Sequence, residues 1–231
     1  MNKLKLILCI LLILTITYQG EATKLVVAVI DTGFHHTTDK VPMCSPAVID
    51  FTGLNRFKDD DKDTHGSNIA SLIAQYAGSS GYCIQVLKVF KHTAKGIAFD
   101  YDAYIKALNY ILKNSPYIVN MSIEGYQPDL SERYLVSKIL DKGIKVVAAA
   151  GNYGVNLDAK GCIVYPACTD KRIVVVGNST SNSSNYGSVV DVAVDGSNKL
   201  GAGTRLTGTS QSTAIETGLL VKQAIQGSRH D

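Results

Sequence analysis

Three short segments, far apart in this chain, carry the residue types of a nucleophilic acyl-transfer site. They are Val27-Ala28-Val29-Ile30-Asp31-Thr32-Gly33, Asp63-Thr64-His65-Gly66-Ser67 and Gly208-Thr209-Ser210-Gln211-Ser212. A serine hydroxyl is a weak nucleophile, so an imidazole must take its proton, and a carboxylate must fix the tautomer of that imidazole. Asp31, His65 and Ser210 are the candidates, in one of the chain orders in which such a triad occurs. Read singly, each has an ordinary structural meaning: Asp31 as a turn residue, His65 as a surface histidine ahead of a helix, Ser210 as a helix N-cap. The combination is what points to chemistry.

The elements that must hold these residues follow from the hydrophobic pattern. Apolar, β-branched runs at 25–30, 47–51, 84–90, 117–121, 144–150, 173–177 and 189–194 predict strands. Amphipathic patterns at 67–76, 101–113 and 130–141 predict helices, and a further helix continues over 213–226 behind Ser210. Asp129-Leu130-Ser131-Glu132 has an acceptor at the cap and Glu at the third position, and Lys142-Gly143 supplies a cation and a stop. Strands apolar on both faces and alternating with helices imply an α/β three-layer sandwich around a mainly parallel sheet. Sites in such sheets form at the carboxyl ends of strands, where Asp31, Ser122 and Asn152 all fall. Ser210 would then lie at a helix N-terminus, whose free N–H groups and positive dipole end favour a developing oxyanion.

Composition narrows the setting. The chain has 231 residues, 45% hydrophobic and 19% charged, enough for one α/β domain with a sizeable core. A net charge of +3 is too small to suggest a nucleic-acid partner. Residues 1–22 have a basic start (Lys3, Lys5), an apolar run over 6–16 and small residues near Gly20-Glu21-Ala22, the pattern of a secretory signal peptide. An uncleaved anchor is the other reading, but the run falls well short of the ~20 residues that a spanning helix needs. The expectation is a secreted or periplasmic protein, with no stable membrane anchor, whose domain occupies residues 23–231. Without Cys9 of the leader, Cys44, Cys83, Cys162 and Cys168 form an even set, read as structural disulfides or else as buried free thiols. Asn178 to Asn185 is a polar stretch that reads as a surface loop, and it holds two glycosylation sequons.

Val119-Asn120-Met121-Ser122-Ile123-Glu124-Gly125 and Val146-Val147-Ala148-Ala149-Ala150-Gly151-Asn152 complete a pattern. With them the chain resembles the subtilisin-like serine proteases, the subtilases, over residues 24–225. The resemblance implies that Asn152 donates to an oxyanion beside the Ser210 backbone N–H. It also implies that Lys95-Gly96-Ile97 and Ser122-Ile123-Glu124 clamp an extended peptide by adding strands to it. Asp63 and Glu124 would border the pockets for the second and first substrate residues before the scissile bond, favouring Lys or Arg there. The acidic run Asp59-Asp60-Asp61-Lys62-Asp63 otherwise reads as a solvated loop or a weak cation site. The family's sheet order would set Cys44 beside Cys83, and Cys162 and Cys168 would close the turn at Tyr165-Pro166.

The chain departs from the family pattern at Glu124, where small glycines are usual, and at Gln211-Ser212-Thr213-Ala214-Ile215 after the nucleophile. No propeptide is evident between leader and first strand, the C-terminus is shortened, and the stretch before residue 84 is too short for the family's common calcium loop. These features imply a possible separate folding helper or inhibitor, no cofactor, and calcium without a clear site. The leading expectation is a secreted serine endopeptidase acting on peptide or protein substrates. A catalytically silent binding module with the same cleft, and an esterase or amidase acting on small substrates, are the competing readings.

Overall fold

Alternation in burial along β1 (Leu25–Asp31) explains the layering. Val27 and Val29 face one apolar cluster, and Ala28 and Ile30 face the other, so the strand is buried on both sides. The computed structural model describes residues 24–35, 39–59, 61–62 and 64–228. The signal-peptide segment and Asp63 lie outside them.

In chain order the elements are β1, β2 (Met43–Asp50), α1 (His65–Ala77), β3 (Tyr82–Lys88), β4 (Phe90–Thr93), β5 (Gly96–Phe99), α2 (Tyr101–Asn114) and β6 (Ile118–Met121). They continue with α3 (Leu130–Asp141), β7 (Lys145–Ala149), α4 (Leu157–Lys160), β8 (Val174–Asn178), β9 (Val192–Val194), β10 (Lys199–Gly201), β11 (Thr204–Leu206) and α5 (Thr209–Gly227). Seven strands make one sheet in the order β2-β3-β1-β6-β7-β8-β9, every neighbouring pair parallel. These are the seven strands that the apolar runs predict.

One face of the sheet packs on α2 and α3 through Leu108, Ile111, Val136 and Ile139. The other packs on α1 and α5 through Ile69, Ile73, Ala214 and Val221. The fold is therefore the expected α/β three-layer sandwich. Helices α1 and α5 approach closely at Gly218, where an added Cβ would sit 2.7 Å from the Ile73 carbonyl oxygen. Pro46 is tolerated because β2 is an edge strand, and its pairing with β3 slips between Met43 and Val48.

Several expectations need adjustment. The run at 84–90 divides at Val89: β3 ends at Lys88, and β4 turns away to form an antiparallel hairpin with β5. The run at 189–194 yields only three strand residues, because Val190 closes a turn onto Gly187. The polar stretch from Asn178 is partly interior, since Asn178, Ser184 and Asn185 are buried and spend their side chains on the backbone. Cys44 is disulfide-bonded to Cys83 and Cys162 to Cys168, and the first pair lies within β2 and β3 rather than ahead of them.

Candidate active site

Asp31 is the last residue of β1 and is fully buried. Its Oδ1 accepts the Thr32 backbone N–H at 2.8 Å and lies 2.8 Å from His65 Nδ1. A buried carboxylate at Nδ1 holds the imidazole with its Nε2 lone pair available, the tautomer a general base needs.

His65 opens α1, and an unusual cap sets its place. The N-cap residue Thr64 is left-handed (φ 52°) and makes no side-chain cap bond. The first-turn N–H groups are instead satisfied from outside the helix. His65 N donates to Asp61 Oδ2 (3.3 Å), Gly66 N to Thr32 Oγ1 (2.9 Å) and Ser67 N to Asp59 Oδ2 (2.8 Å). Two carboxylates thus cap a positive helix end, where negative charge is favoured. The chain at Gly66 passes so near β1 that an added Cβ would collide with the Gly33 carbonyl oxygen. Asp59, the first residue of the acidic run, is therefore not simply solvated as composition suggests: it is half-buried and bonded to Thr32 and Ser67.

Burial works to lower the pKa of His65, but the charge and hydrogen bond of Asp31, with Asp61 and Asp59 behind them, outweigh it and raise the pKa to about 9. Burial likewise raises the pKa of Asp59.

Ser210 is the second residue of α5, after the buried pair Gly208-Thr209. Contacts with Ser122 hold it at the end of β6. Ser210 Oγ donates to the Ser122 carbonyl at 3.2 Å, and the Ser122 hydroxyl lies between Asn120 Oδ1 (2.9 Å) and the Ser210 carbonyl (3.0 Å). The Ser210 hydroxyl is thus directed at Ser122 rather than at His65.

Asn152 follows β7. Its Oδ1 accepts the Thr209 N–H at 2.8 Å and the Thr209 hydroxyl at 3.2 Å. The acceptor side of the amide is occupied, and its Nδ2 donors have no protein partner among the described residues. Behind this loop, Asn185 donates to the Ala150 carbonyl (2.8 Å) and accepts from the Tyr153 and Val155 N–H groups (3.1 Å each). Sequence reasoning missed this residue. Only the burial of its amide marks it, and the Asn-rich stretch that holds it hides that.

Glu124 keeps part of its side chain in solvent, its carboxylate accepts the Asn152 backbone N–H, and partial desolvation of that carboxylate raises its pKa despite the bond. β5, which contains Gly96 and Ile97, pairs with β4 and has no second strand neighbour among the described residues. Lys95 lies in the hairpin turn. Among the described residues no group of three or more His, Cys, Asp or Glu side chains could hold a metal ion, and no helix is long and apolar enough to cross a membrane.

A parallel α/β sandwich with an aspartate-bound histidine and a helix-start serine at the strand ends defines a class. The subtilase family model matches residues 22–227, and the chain belongs to that family. Subtilisin amylosacchariticus of Bacillus subtilis subsp. amylosacchariticus is 29% identical over 190 residues, covering 78% of this chain and 48% of its own length. An intracellular serine protease of Paenibacillus polymyxa is 28% identical over 239 residues, covering 91% of this chain and 69% of its own. The chain spans about half the length of several subtilisins it matches and up to 66% of another. Among solved structures, a lanthipeptide protease superposes with a TM-score of 0.74 at 19% identity, covering 90% of this chain and 75% of its own. A cold-adapted subtilisin-like serine proteinase superposes at 0.71 and 24%, covering 90% and 78%. These two likenesses concern the fold.

Proposed function

We propose that this chain is a secreted serine endopeptidase that cleaves peptide bonds through Asp31, His65 and Ser210. The observation that carries the proposal is the 2.8 Å contact between His65 Nδ1 and buried Asp31 Oδ1, at the sheet edge that Ser210 also reaches through Ser122. Membership of the subtilase family supports the reaction class.

In this mechanism the Ser210 hydroxyl rotates from the Ser122 carbonyl toward His65 Nε2, a move between staggered rotamers. Catalytic contacts that are loose without substrate tighten when it binds. Oγ then bonds to the scissile carbonyl carbon as its proton passes to Nε2. The oxyanion receives the Asn152 Nδ2–H and the Ser210 backbone N–H. The C–N bond breaks, the leaving amine takes the proton from His65, and water hydrolyses the resulting ester by the reverse sequence. The Asp31 carboxylate, bonded to Nδ1, stabilises the imidazolium.

Gly96 and Ile97 on β5, Lys95 beside them, and Ser122, Ile123 and Glu124 after β6 are the proposed backbone clamp. Asp63 and Glu124 are proposed to border the pockets nearest the scissile bond. The leader at 1–22 supports export, and peptide or protein substrates are the proposed partners.

Labelling the purified protein with a fluorophosphonate tests the assignment. The expected result is one covalent adduct on Ser210, absent from Ser210→Ala and from wild type blocked at His65. A properly folded wild type that takes no label, and cleaves no peptide, refutes it.

A further inference from the structure

Beyond the clamp residues themselves, a cavity of about 460 Å³ has Ile123 and Glu124 in its lining. Its walls come from β4, β5, the start of α2 and the loop after β6. Phe90, Phe99, Tyr104 and Tyr101 form a continuous chain of rings, with successive centroids 5.3, 5.4 and 6.4 Å apart. Tyr126 and Tyr165 add further rings to the lining.

The polar lining is one-sided. Glu124, Asp129 and Glu132 contribute carboxylates, and among the described residues no Lys, Arg or His lines the cavity. Asp129 is committed to its own helix: it caps α3 by accepting the Glu132 N–H at 2.8 Å, and it also accepts from Tyr101. Glu132 is different. It is 6% exposed, and the Thr169 hydroxyl (3.0 Å) and Tyr104 orient it without supplying a countercharge. The nearby cations are otherwise placed. Lys91 is paired with Asp100 at 2.7 Å, and Arg133 lines the adjoining groove. Burial raises the pKa of Glu132, as expected for a carboxylate kept from water with no cation beside it.

We infer that this cavity receives the side chain of a lysine or arginine in the peptide held along Ser122, Ile123 and Glu124, its charge meeting Glu132 and its stem packing on the rings. The inference rests on the proteolytic reading for the presence of a peptide there, but not on turnover. An aliphatic stem with a charged head suits a slot that is aromatic along its length and carboxylate-bearing at its buried end. Ring faces also attract cations. An acidic side chain would meet three carboxylates, and a purely apolar one would leave Glu132 desolvated with no counter-ion.

Equilibrium binding of end-blocked hexapeptides to the Ser210→Ala protein tests this. A single lysine is moved through the six positions and compared at each with norleucine, which has a similar stem and no charge. The expected result is one position at which lysine binds at least about tenfold tighter than norleucine, as for a desolvated cation against rings and a carboxylate. Glu132→Gln should bring the ratio to near one. Phe99→Leu, at a ring 43% exposed and so of little risk to folding, should lower it several-fold. Norleucine binding as well as lysine at every position, a ratio untouched by both substitutions, or no peptide binding at all would overturn the inference. Wild-type turnover is read separately: lysine preference without turnover refutes proteolysis alone, and turnover without the preference refutes the cavity's role alone.

Discussion

The Thr32 hydroxyl lies 2.7 Å from Asp59 Oδ1 and 3.2 Å from Asp31 Oδ1. It has one proton, and the shorter contact to Asp59 takes it. A carboxylate from the acidic run thus keeps that proton away from Asp31, which is left a stronger acceptor for His65. Asp59→Asn removes a negative charge behind His65 and frees the Thr32 hydroxyl to turn to Asp31. Both changes lower the His65 pKa. The expected outcome is an acid limb of kcat/KM displaced to lower pH, with the high-pH plateau retained within about tenfold. Asp59→Ala should in addition cost about 1.5–3 kcal/mol of stability, since two Ser67 donors lose a charged acceptor. An acid limb that stays in place in Asp59→Asn would remove Asp59 from the positioning of the base.

Activity and stability should move in opposite directions with pH. Catalysis needs neutral His65, so kcat/KM should rise through neutral pH and level off only above about 9. The folded pKa is above the unfolded value of 6.5, so the folded chain binds the extra proton between the two. This contribution to stability is fully present below pH 6.5 and is lost as pH rises through about 9. It amounts to up to about 3 kcal/mol. Urea melts at pH 6 and pH 9.5, compared with those of His65→Ala, would measure it. A wild-type minus mutant difference that does not shrink at the higher pH would contradict it.

Much of this was legible in the sequence because β-branched runs bounded by polar residues report strands that are buried on both faces. Asp31, His65 and Ser210 were legible for a related reason: each stands at the end of a patterned element. What stayed hidden depends on contacts between distant segments. Asp59 reads as one of several solvated aspartates, and its burial comes from Thr32, on the loop after β1. Asn185 sits in a stretch whose composition says loop, and only the turn at Gly151 gives its amide a task. The four-residue helix α4 and the β10–β11 hairpin are too short to produce a period. Asn120-Met121-Ser122 has the spacing of a glycosylation sequon, yet Asn120 is interior: its Nδ2 donates to Thr217 Oγ1 at 3.0 Å within the core.

Asn152 has two jobs that substitution can separate. Its Oδ1 holds the start of α5 through Thr209, and its Nδ2 is the proposed oxyanion donor. Asn152→Ala should lower kcat by about 10²–10³, or about 2.7–4 kcal/mol, a magnitude borrowed from subtilisin itself. Asn152→Asp keeps the acceptor for Thr209 and removes the donor. Its Tm should stay nearer wild type than that of the alanine variant, while kcat falls at least as far. A kcat in Asn152→Asp close to wild type would assign the residue to helix capping alone.

Ser210→Ala and His65→Ala should each remove most turnover, and combining them should cost little more than either alone. Residues that act as one unit are non-additive in this way, because the base has no proton to take once the nucleophile is gone. Steady-state kinetics on both single variants and the double variant measures it. Two independent losses that multiply in the double variant would break the pairing of Ser210 with His65.

The two disulfides should differ both in what they stabilise and in how much. Cys44–Cys83 spans 39 residues and ties edge strand β2 to β3, whereas Cys162–Cys168 spans only 6. The cost of loop closure in the unfolded chain gives about 4 kcal/mol for the longer loop and about 2 kcal/mol for the shorter. Cys44→Ser with Cys83→Ser should therefore produce the larger fall in Tm. The short loop encloses Tyr165 and Pro166, both of which line the aromatic cavity beside Glu132. Cys162→Ser with Cys168→Ser should consequently weaken binding of the lysine peptide more than the other pair does, despite its smaller effect on melting. Thermal melts and peptide titrations on both double variants test the two rankings together. If the Cys44 and Cys83 variant lost more peptide affinity than the Cys162 and Cys168 variant, the short loop would have no special part in shaping the cavity.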